Sequence, residues 1–531
     1  MVYGMSLARL ALAGAFAMGV VQARLPKPPG VIKPPGVPRL EVAEVGPIHS
    51  RNGTELPPYN TTYYFDQLID HNDPSKGTFK QRYWHTYEHY EEGGPVIIMT
   101  PGEGNADGYW SYLTNSSING LLAEQENATA IVIEHRFYGE SNPLPDLSSE
   151  SLKLHTIQQA IDDLKYFAEN VVLPMPNGDQ LTPDKAPWVM MGGSYSGALT
   201  SWVMTNTDFI WAGYASSAVV EAITDFWKYF EPIRQNMPQN CSADVQAVIT
   251  YIDDIAAKND TDALNKIADD FGLSDIADHF DDVVGTLRYN LWDWQSLSIL
   301  TGPNGAFYQF CDALEVKDNG DVAPEAGWGV DHAYAAWSSY FKNQYIDDYL
   351  SSGGYDSVFD AFDTYDTNRT FWTSTEVDNS YRSWQWIVCN EVGYIQDAAP
   401  EGEPSLISRI VNPAYDLRQC VNFFPDYFPE TPVPNVNATN TAYKGWDVQE
   451  DRLFFANGIK DPWREATMSA EGVTTKSTDR QPIKIGDGIH CSDLSAKAGK
   501  ADETIRAVQE SALEYLHTWI GEWKTEKAKR A

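Results

Sequence analysis

Three short segments of this chain carry side chains suited to nucleophilic attack on a carbonyl. They are Gly192-Gly193-Ser194-Tyr195-Ser196-Gly197, Asn457-Gly458-Ile459-Lys460-Asp461-Pro462-Trp463 and Gly486-Asp487-Gly488-Ile489-His490-Cys491. A hydroxyl is a poor nucleophile at its ordinary pKa, so it needs a neutral imidazole within reach and a carboxylate that fixes the ring's tautomer. Ser194, His490 and Asp461 supply these three groups. Asp487 and Asp493 lie nearer to His490 in sequence, but a loop neighbour rarely meets the ring from the side opposite the serine, which favours Asp461.

Ser194 has the setting of a nucleophile elbow. The apolar run Trp188 to Met191 breaks at glycines, exposes one serine and runs into a helix-forming stretch. The elbow strains its central residue, so small neighbours are expected two positions to either side. These are Gly192 and Ser196, the latter in place of the last glycine of G-x-S-x-G, with Gly197 next. Acyl transfer also needs two backbone donors for the tetrahedral oxyanion. Tyr195 N–H is one; the turn Gly102-Glu103-Gly104 after an earlier strand offers the other, from Glu103 or Gly104. The Glu103 side chain either binds a substrate terminus or holds the loop.

The elements that must position these groups follow from periodicity. Phe79 to His85, Pro95 to Thr100, Ala130 to Ile133 and Trp188 to Met191 read as strands. Thr156 to Val171 reads as a helix with Ile157, Ala160, Ile161, Leu164, Phe167 and Ala168 inward and Asp162, Asp163 and Lys165 outside the stripe. In Glu134-His135-Arg136, the histidine precedes the serine and is expected to be structural, flanked by a Glu134–Arg136 buried ion pair. From about Glu221 to Pro434 strand alternation is lost and helical periods such as Val245 to Ala256 and Ala263 to Phe271 take over. Strands resume at Arg452 to Ala456 and Ile483 to Ile485, and Thr504 to Trp523 closes the chain as an amphipathic helix. The fold class is therefore α/β: a mostly parallel sheet with a large, mainly helical insertion. The order Ser, Asp, His, each beyond a strand, is that of an α/β-hydrolase core. The division is 1–23, 24–58, 59–220, 221–434 and 435–531: leader, Pro-rich linker or propeptide, core, inserted cap, core.

Residues 1–23 have the pattern of a signal peptide, with Arg9 before the apolar run Leu10 to Val21 and small residues before a cut after Ala23. Sequons at Asn52, Asn60, Asn115, Asn127, Asn240, Asn259, Asn368 and Asn437 point the same way, to a secreted, extracellular glycoprotein. Of five cysteines, Cys241 with Cys311 and Cys389 with Cys420 are the shorter, topologically simple pairings, which leaves Cys491 free beside His490. A balance of 38 basic to 74 acidic residues, net −36, argues against nucleic acid and membrane as partners. That acidic field favours imidazolium, so operation in acid requires burial near Trp463 to depress the His490 pKa. No cofactor or metal is expected.

The segments TPGEGNADGYW, EHRFYGES, GGSYSGALTSW, WQWIVCNE, FFANGIKDPW and GIHCSDL resemble those of the prolyl carboxypeptidase family of serine peptidases, fungal secreted members above all. The resemblance spans residue 60 to the C-terminus. It implies Ser194, Asp461 and His490 as a triad, a helical cap over the cleft, cleavage of peptides after proline, and Trp463 as a wall for the proline ring. Carboxypeptidase action is the family's name-giving activity, with endopeptidase or dipeptidyl peptidase action as alternatives; a monomer or homodimer is expected. Ser196 and Ala198 stand where some members carry Gly and a larger apolar residue, so Ala198 is a candidate pocket residue. The same triad would serve an esterase or lipase, but no HGGG-type oxyanion motif is present.

Overall fold

The structure is a computed structural model describing residues 34, 36–42 and 46–530. The expected leader at 1–23, and most of the segment Arg24 to Pro38, lie outside the described residues.

The main sheet is built from β1 (Thr62–Leu68), β2 (Thr78–Thr86), β3 (Val96–Met99), β4 (Thr129–Ile133), β5 (Trp188–Gly193) and β6 (Ala212–Ser216). The second half of the chain adds two more. Between the halves come β7 (Ile223–Asp225) and β8 (Gly393–Ile395), which pair in parallel apart from the main sheet, and then β9 (Leu453–Gly458) and β10 (Ile483–Gly486). The order across the main sheet is β1-β2-β4-β3-β5-β6-β9-β10. β2 runs antiparallel to β1 and β4, and the six strands from β4 to β10 are parallel. This is an α/β-hydrolase sheet, and ligand chemistry in such sheets gathers at the C-terminal strand ends. β3, β4 and β5 are buried along their whole length, which explains their unbroken apolar runs.

Everything between β6 and β9 except β7 and β8 is helix or loop. The helices Gln239–Ala256 and Ala306–Glu315 are joined by the Cys241–Cys311 disulfide, and Cys389–Cys420 ties the turn Val388–Val392 to the helix Pro413–Phe423. Cys491 is free and buried. One apolar cluster runs from sheet residues Val96 and Ile131 through Tyr195 and Trp202 into Phe226, Val245, Phe310 and Trp337 of the inserted helices. The opposite sheet face packs Ile97, Val132 and Met191 against Leu122 and the closing helix residues Leu516 and Trp519.

Two expected charges sit differently. Glu134 and Arg136 do not pair with each other: Arg82 Nη2 lies 2.6 Å from Glu134 Oε1, and Arg136 Nη2 lies 2.5 Å from Asp163 Oδ1. A buried charge needs several hydrogen bonds to offset its desolvation, more than one adjacent side chain provides. Glu134 obtains them from Arg82, Ser141 Oγ and the N–H groups of Ala106, Glu140 and Ser141. Asp163, expected outside the helix's inward stripe, is buried for the same reason, held by Arg136 and His71.

Candidate active site

β5 delivers Ser194 as the first residue of the helix Ser194–Asn206, with φ +62 in the left-handed region. That conformation is costly for a non-glycine residue and persists only where packing imposes it. The approach of helix to strand is close: a Cβ on Gly192 would lie 2.2 Å from Ser196 O, so no side chain fits there. Ser196 is buried and faces the backbone, exchanging hydrogen bonds with Gly193. Ala198, one turn on, is buried in the apolar cluster shared with the inserted helices.

β9 and β10 place their following loops side by side. His490 Nε2 is 2.8 Å from Ser194 Oγ, and His490 Nδ1 is 2.8 Å from Asp461 Oδ1. With the Nδ1 proton directed at Asp461, Nε2 is left to accept the serine proton. Asp461 Oδ1 also accepts the Trp463 N–H at 2.9 Å, and the carboxylate is fully buried. The other two acids are engaged elsewhere. Asp487 accepts from Lys460 at 2.9 Å, and Asp493 accepts from Tyr214 Oη and Ser216 Oγ behind the histidine loop. Cys491 N–H donates to Ser217 Oγ at 2.9 Å, anchoring that loop to the end of β6.

Burial, the largest single influence, pulls the His490 pKa down, but the Asp461 carboxylate in contact with the ring and the neighbouring Cys491 together outweigh it, and the imidazole stands well above its ordinary 6.5. This is opposite to the depression that operation in acid requires. Proximity to Trp463, whose ring lies 6.4 Å from that of His490, does not offset a carboxylate at hydrogen-bond distance.

The turn after β3 rests on the elbow. Gly102 has φ +80, and a Cβ there would lie 3.2 Å from Tyr195 Cδ1. Gly104 N–H is spent on Gly102 O at 2.9 Å, which of the two donors expected from this turn leaves Glu103 N–H as the candidate. Both Glu103 carboxyl oxygens are buried without a hydrogen-bond partner, and burial pushes the group up to about 8. Glu103 is thus a neutral acid across most of the physiological range. His135 is structural, its Nδ1 at 2.8 Å from Arg136 O and its Nε2 at 3.2 Å from Tyr195 Oη. The cluster around Glu134 also fixes the turn after β3, since Arg82 donates to both Glu134 and Asn105 Oδ1.

Trp463 is fully buried among Phe226, Tyr229 and Tyr394, and its Nε1 donates to Gln295 Oε1 at 2.9 Å. Phe226, Tyr229, Gln295 and Tyr394 were not among the residues expected at the site. Phe226 and Tyr229 belong to the aromatic density early in the insertion, which does not distinguish a site wall from a core, and Gln295 and Tyr394, farther along it, carry no signal of their own. Of the eight sequon asparagines, Asn127 and Asn240 are half-buried and the rest exposed. Among the described residues, no helix is long and apolar enough to cross a membrane.

Known proteins resemble this chain along most of its length. It is 30% identical over 482 residues to "Serine protease vicPa" of Bipolaris victoriae, covering 88% of this chain and 90% of that one. It is 30% identical over 474 residues to "Probable extracellular serine carboxypeptidase" of Arthroderma benhamiae, covering 83% of this chain and 64% of that one. "Thymus-specific serine protease" of Mus musculus is 23% identical over 476 residues, covering 87% and 88%. Among solved structures, an esterase from the archaeon Pyrobaculum calidifontis aligns over 33% of this chain and 50% of its own, at 15% identity and a TM-score of 0.22, too low to bear on the argument. Residues 67–511 match the family described as Serine carboxypeptidase S28, and the chain belongs to that family of serine peptidases.

Proposed function

We propose that this chain is a secreted serine carboxypeptidase that hydrolyses the peptide bond after a proline near the substrate's C-terminus. The observation that carries the reading is the run of two 2.8 Å contacts from Ser194 Oγ through His490 to Asp461. Ser194 Oγ attacks the carbonyl carbon, His490 Nε2 takes the hydroxyl proton, and Tyr195 N–H and Glu103 N–H hold the oxyanion. The C–N bond then breaks, with His490 returning the proton to the leaving amine. Water, deprotonated by the same ring, hydrolyses the acyl-enzyme and restores Ser194.

Carboxypeptidase action is supported by the Glu103 side chain. A neutral carboxyl beside the nucleophile donates a hydrogen bond to a substrate carboxylate, whereas an ionised one would repel it. The proline ring is assigned to the Trp463 side, whose ring, closed in by Phe226, Tyr229 and Tyr394, lies 6.4 Å from that of His490. Export is supported by the two disulfides, the accessible sequons and the extracellular relative.

Mass spectrometry of products from peptides with penultimate or internal proline, each as free acid and C-terminal amide, tests the reading. Release of the last residue from the penultimate-proline acid, with the amide at least tenfold slower, is expected. Cleavage at internal proline at equal rates would replace it with an endopeptidase. Ser194→Ala retaining full activity would remove the triad.

A further inference from the structure

The N-terminal segment crosses the cleft in which these groups sit. Three of its main-chain carbonyls are held by side chains from both sides of the opening. Pro34 O accepts from Gln295 Nε2 at 3.1 Å, Val37 O from Tyr109 Oη at 3.0 Å, and Pro38 O from Tyr112 Oη at 2.7 Å. Gln295 belongs to the inserted helices and also accepts from Trp463 Nε1 and Tyr229 Oη. Tyr109 and Tyr112 belong to the core turn that follows Glu103, so the segment bridges cap and core.

Between these ties, Val37 is buried in the cluster containing Met191, Cys491 and Leu494. Its Cγ2 lies 3.5 Å from where a Cβ on Gly193, the residue before Ser194, would stand. The Arg39 guanidinium lies over the Tyr109 ring at 5.1 Å. The neighbouring cleft, of about 780 Å³, has Pro38, Arg39 and Glu41 on one wall and His490 and Ser492 on another. Reading carbonyls alone is how a groove holds an extended, proline-containing chain, because prolines have no N–H to offer and keep the backbone stretched.

We propose that Pro34 and residues Gly36–Glu41 are a tethered occupant of the substrate cleft, bound as an extended proline-containing peptide is bound. A chain carrying them is self-blocked, and one cut beyond Glu41 opens the site. The inference rests on the peptidase reading of that site. Activation needs an endopeptidase and one water, whose hydroxyl goes to the acyl half and whose proton goes to the new amine. The tether supplies a local concentration on the order of millimolar, so modest contacts suffice to compete with substrate, and they are lost once the segment is free to diffuse.

The test compares three proteins: the chain from Arg24, the chain from Gly46, and the longer chain with Val37→Glu, which keeps the tether but cannot bury residue 37. The readouts are the rate of labelling by a fluorophosphonate and kcat/KM on a proline-containing chromogenic peptide. The chain from Gly46 and the Val37→Glu protein are expected to react at least tenfold faster than the chain from Arg24. A synthetic peptide of residues 33–42 is expected to raise KM of the shorter chain at constant kcat. Equal Ser194-dependent labelling in all three, or a peptide that does not compete, overturns the strap alone. Labelling that survives Ser194→Ala overturns the peptidase reading and the strap with it. If the shorter chain does not fold, Val37→Glu decides by the same labelling rate.

Discussion

Ser196 Oγ accepts the Gly193 N–H at 3.0 Å and donates to Gly193 O at 2.8 Å, so the residue that departs from G-x-S-x-G fastens the strand end ahead of Ser194. Ser196→Gly would repair the motif and lose both bonds while freeing the helix's first turn. It is expected to destabilise the protein by about 1–2 kcal/mol, read as a lower Tm. An unchanged Tm would show that these bonds contribute nothing.

Asp461→Asn removes the carboxylate that holds the His490 pKa up and leaves the burial that lowers it. The base must be neutral, so kcat/KM falls as pH drops below its pKa. The variant should lose roughly 10⁴-fold in kcat, with its residual activity extending to lower pH than the native enzyme's. A pH–rate profile checks both parts, and an acid limb that stays in place contradicts the pairing.

Glu103 titrates at about 8, and its ionisation puts a negative charge beside the developing oxyanion. Activity on free-acid peptides should therefore decline above that pH in the native protein. In Glu103→Gln this alkaline decline should vanish, because an amide stays neutral. Profiles that superimpose would leave Glu103 with no part in it.

Stability should fall from pH 6.5 to pH 8.5. Burial holds Asp282 up to about 6, Glu391 to about 7, Glu315 to about 8 and Asp397 to about 9, with Glu103 at about 8. The folded chain thus keeps protons that the unfolded chain releases, and its stability decreases as pH rises through this window. Buried His85 and His135, lowered to about 3 and about 4, act oppositely, but their contribution is complete once the unfolded imidazole is neutral, above roughly 6.5. Scanning calorimetry should show Tm dropping by on the order of a few degrees; a rising Tm would mean these carboxyls are ionised in the folded state.

The buried strands β3, β5 and β9 were legible because their apolar runs end in glycine-bearing turns, β4 by its apolar run alone, and Ser194 and Asp461 because each follows such a turn; His490 follows the largely exposed β10 and was legible from its Gly-rich loop and the chain order Ser, Asp, His. β6, Ala212–Ser216, was not. Its Gly213 must be small, since a Cβ would lie 2.4 Å from Met204 Sδ, and a strand of Ala, Gly and Ser gives no β-branched signal. β1 is an edge strand with little burial, so its alternation carries little weight. The partners of Glu134 and Arg136, and the hold of Tyr109, Tyr112 and Gln295 on Pro34–Pro38, join residues far apart in the chain. No local pattern encodes such pairs.

Tyr195 packs edge-on against Trp384 with ring centroids 5.5 Å apart, inside the apolar cluster that sheet and inserted helices share. Raising those helices would expose oily surface on both sides at once. The inserted helices are therefore fastened to the sheet by a core the two share, and lifting them would break it along both faces.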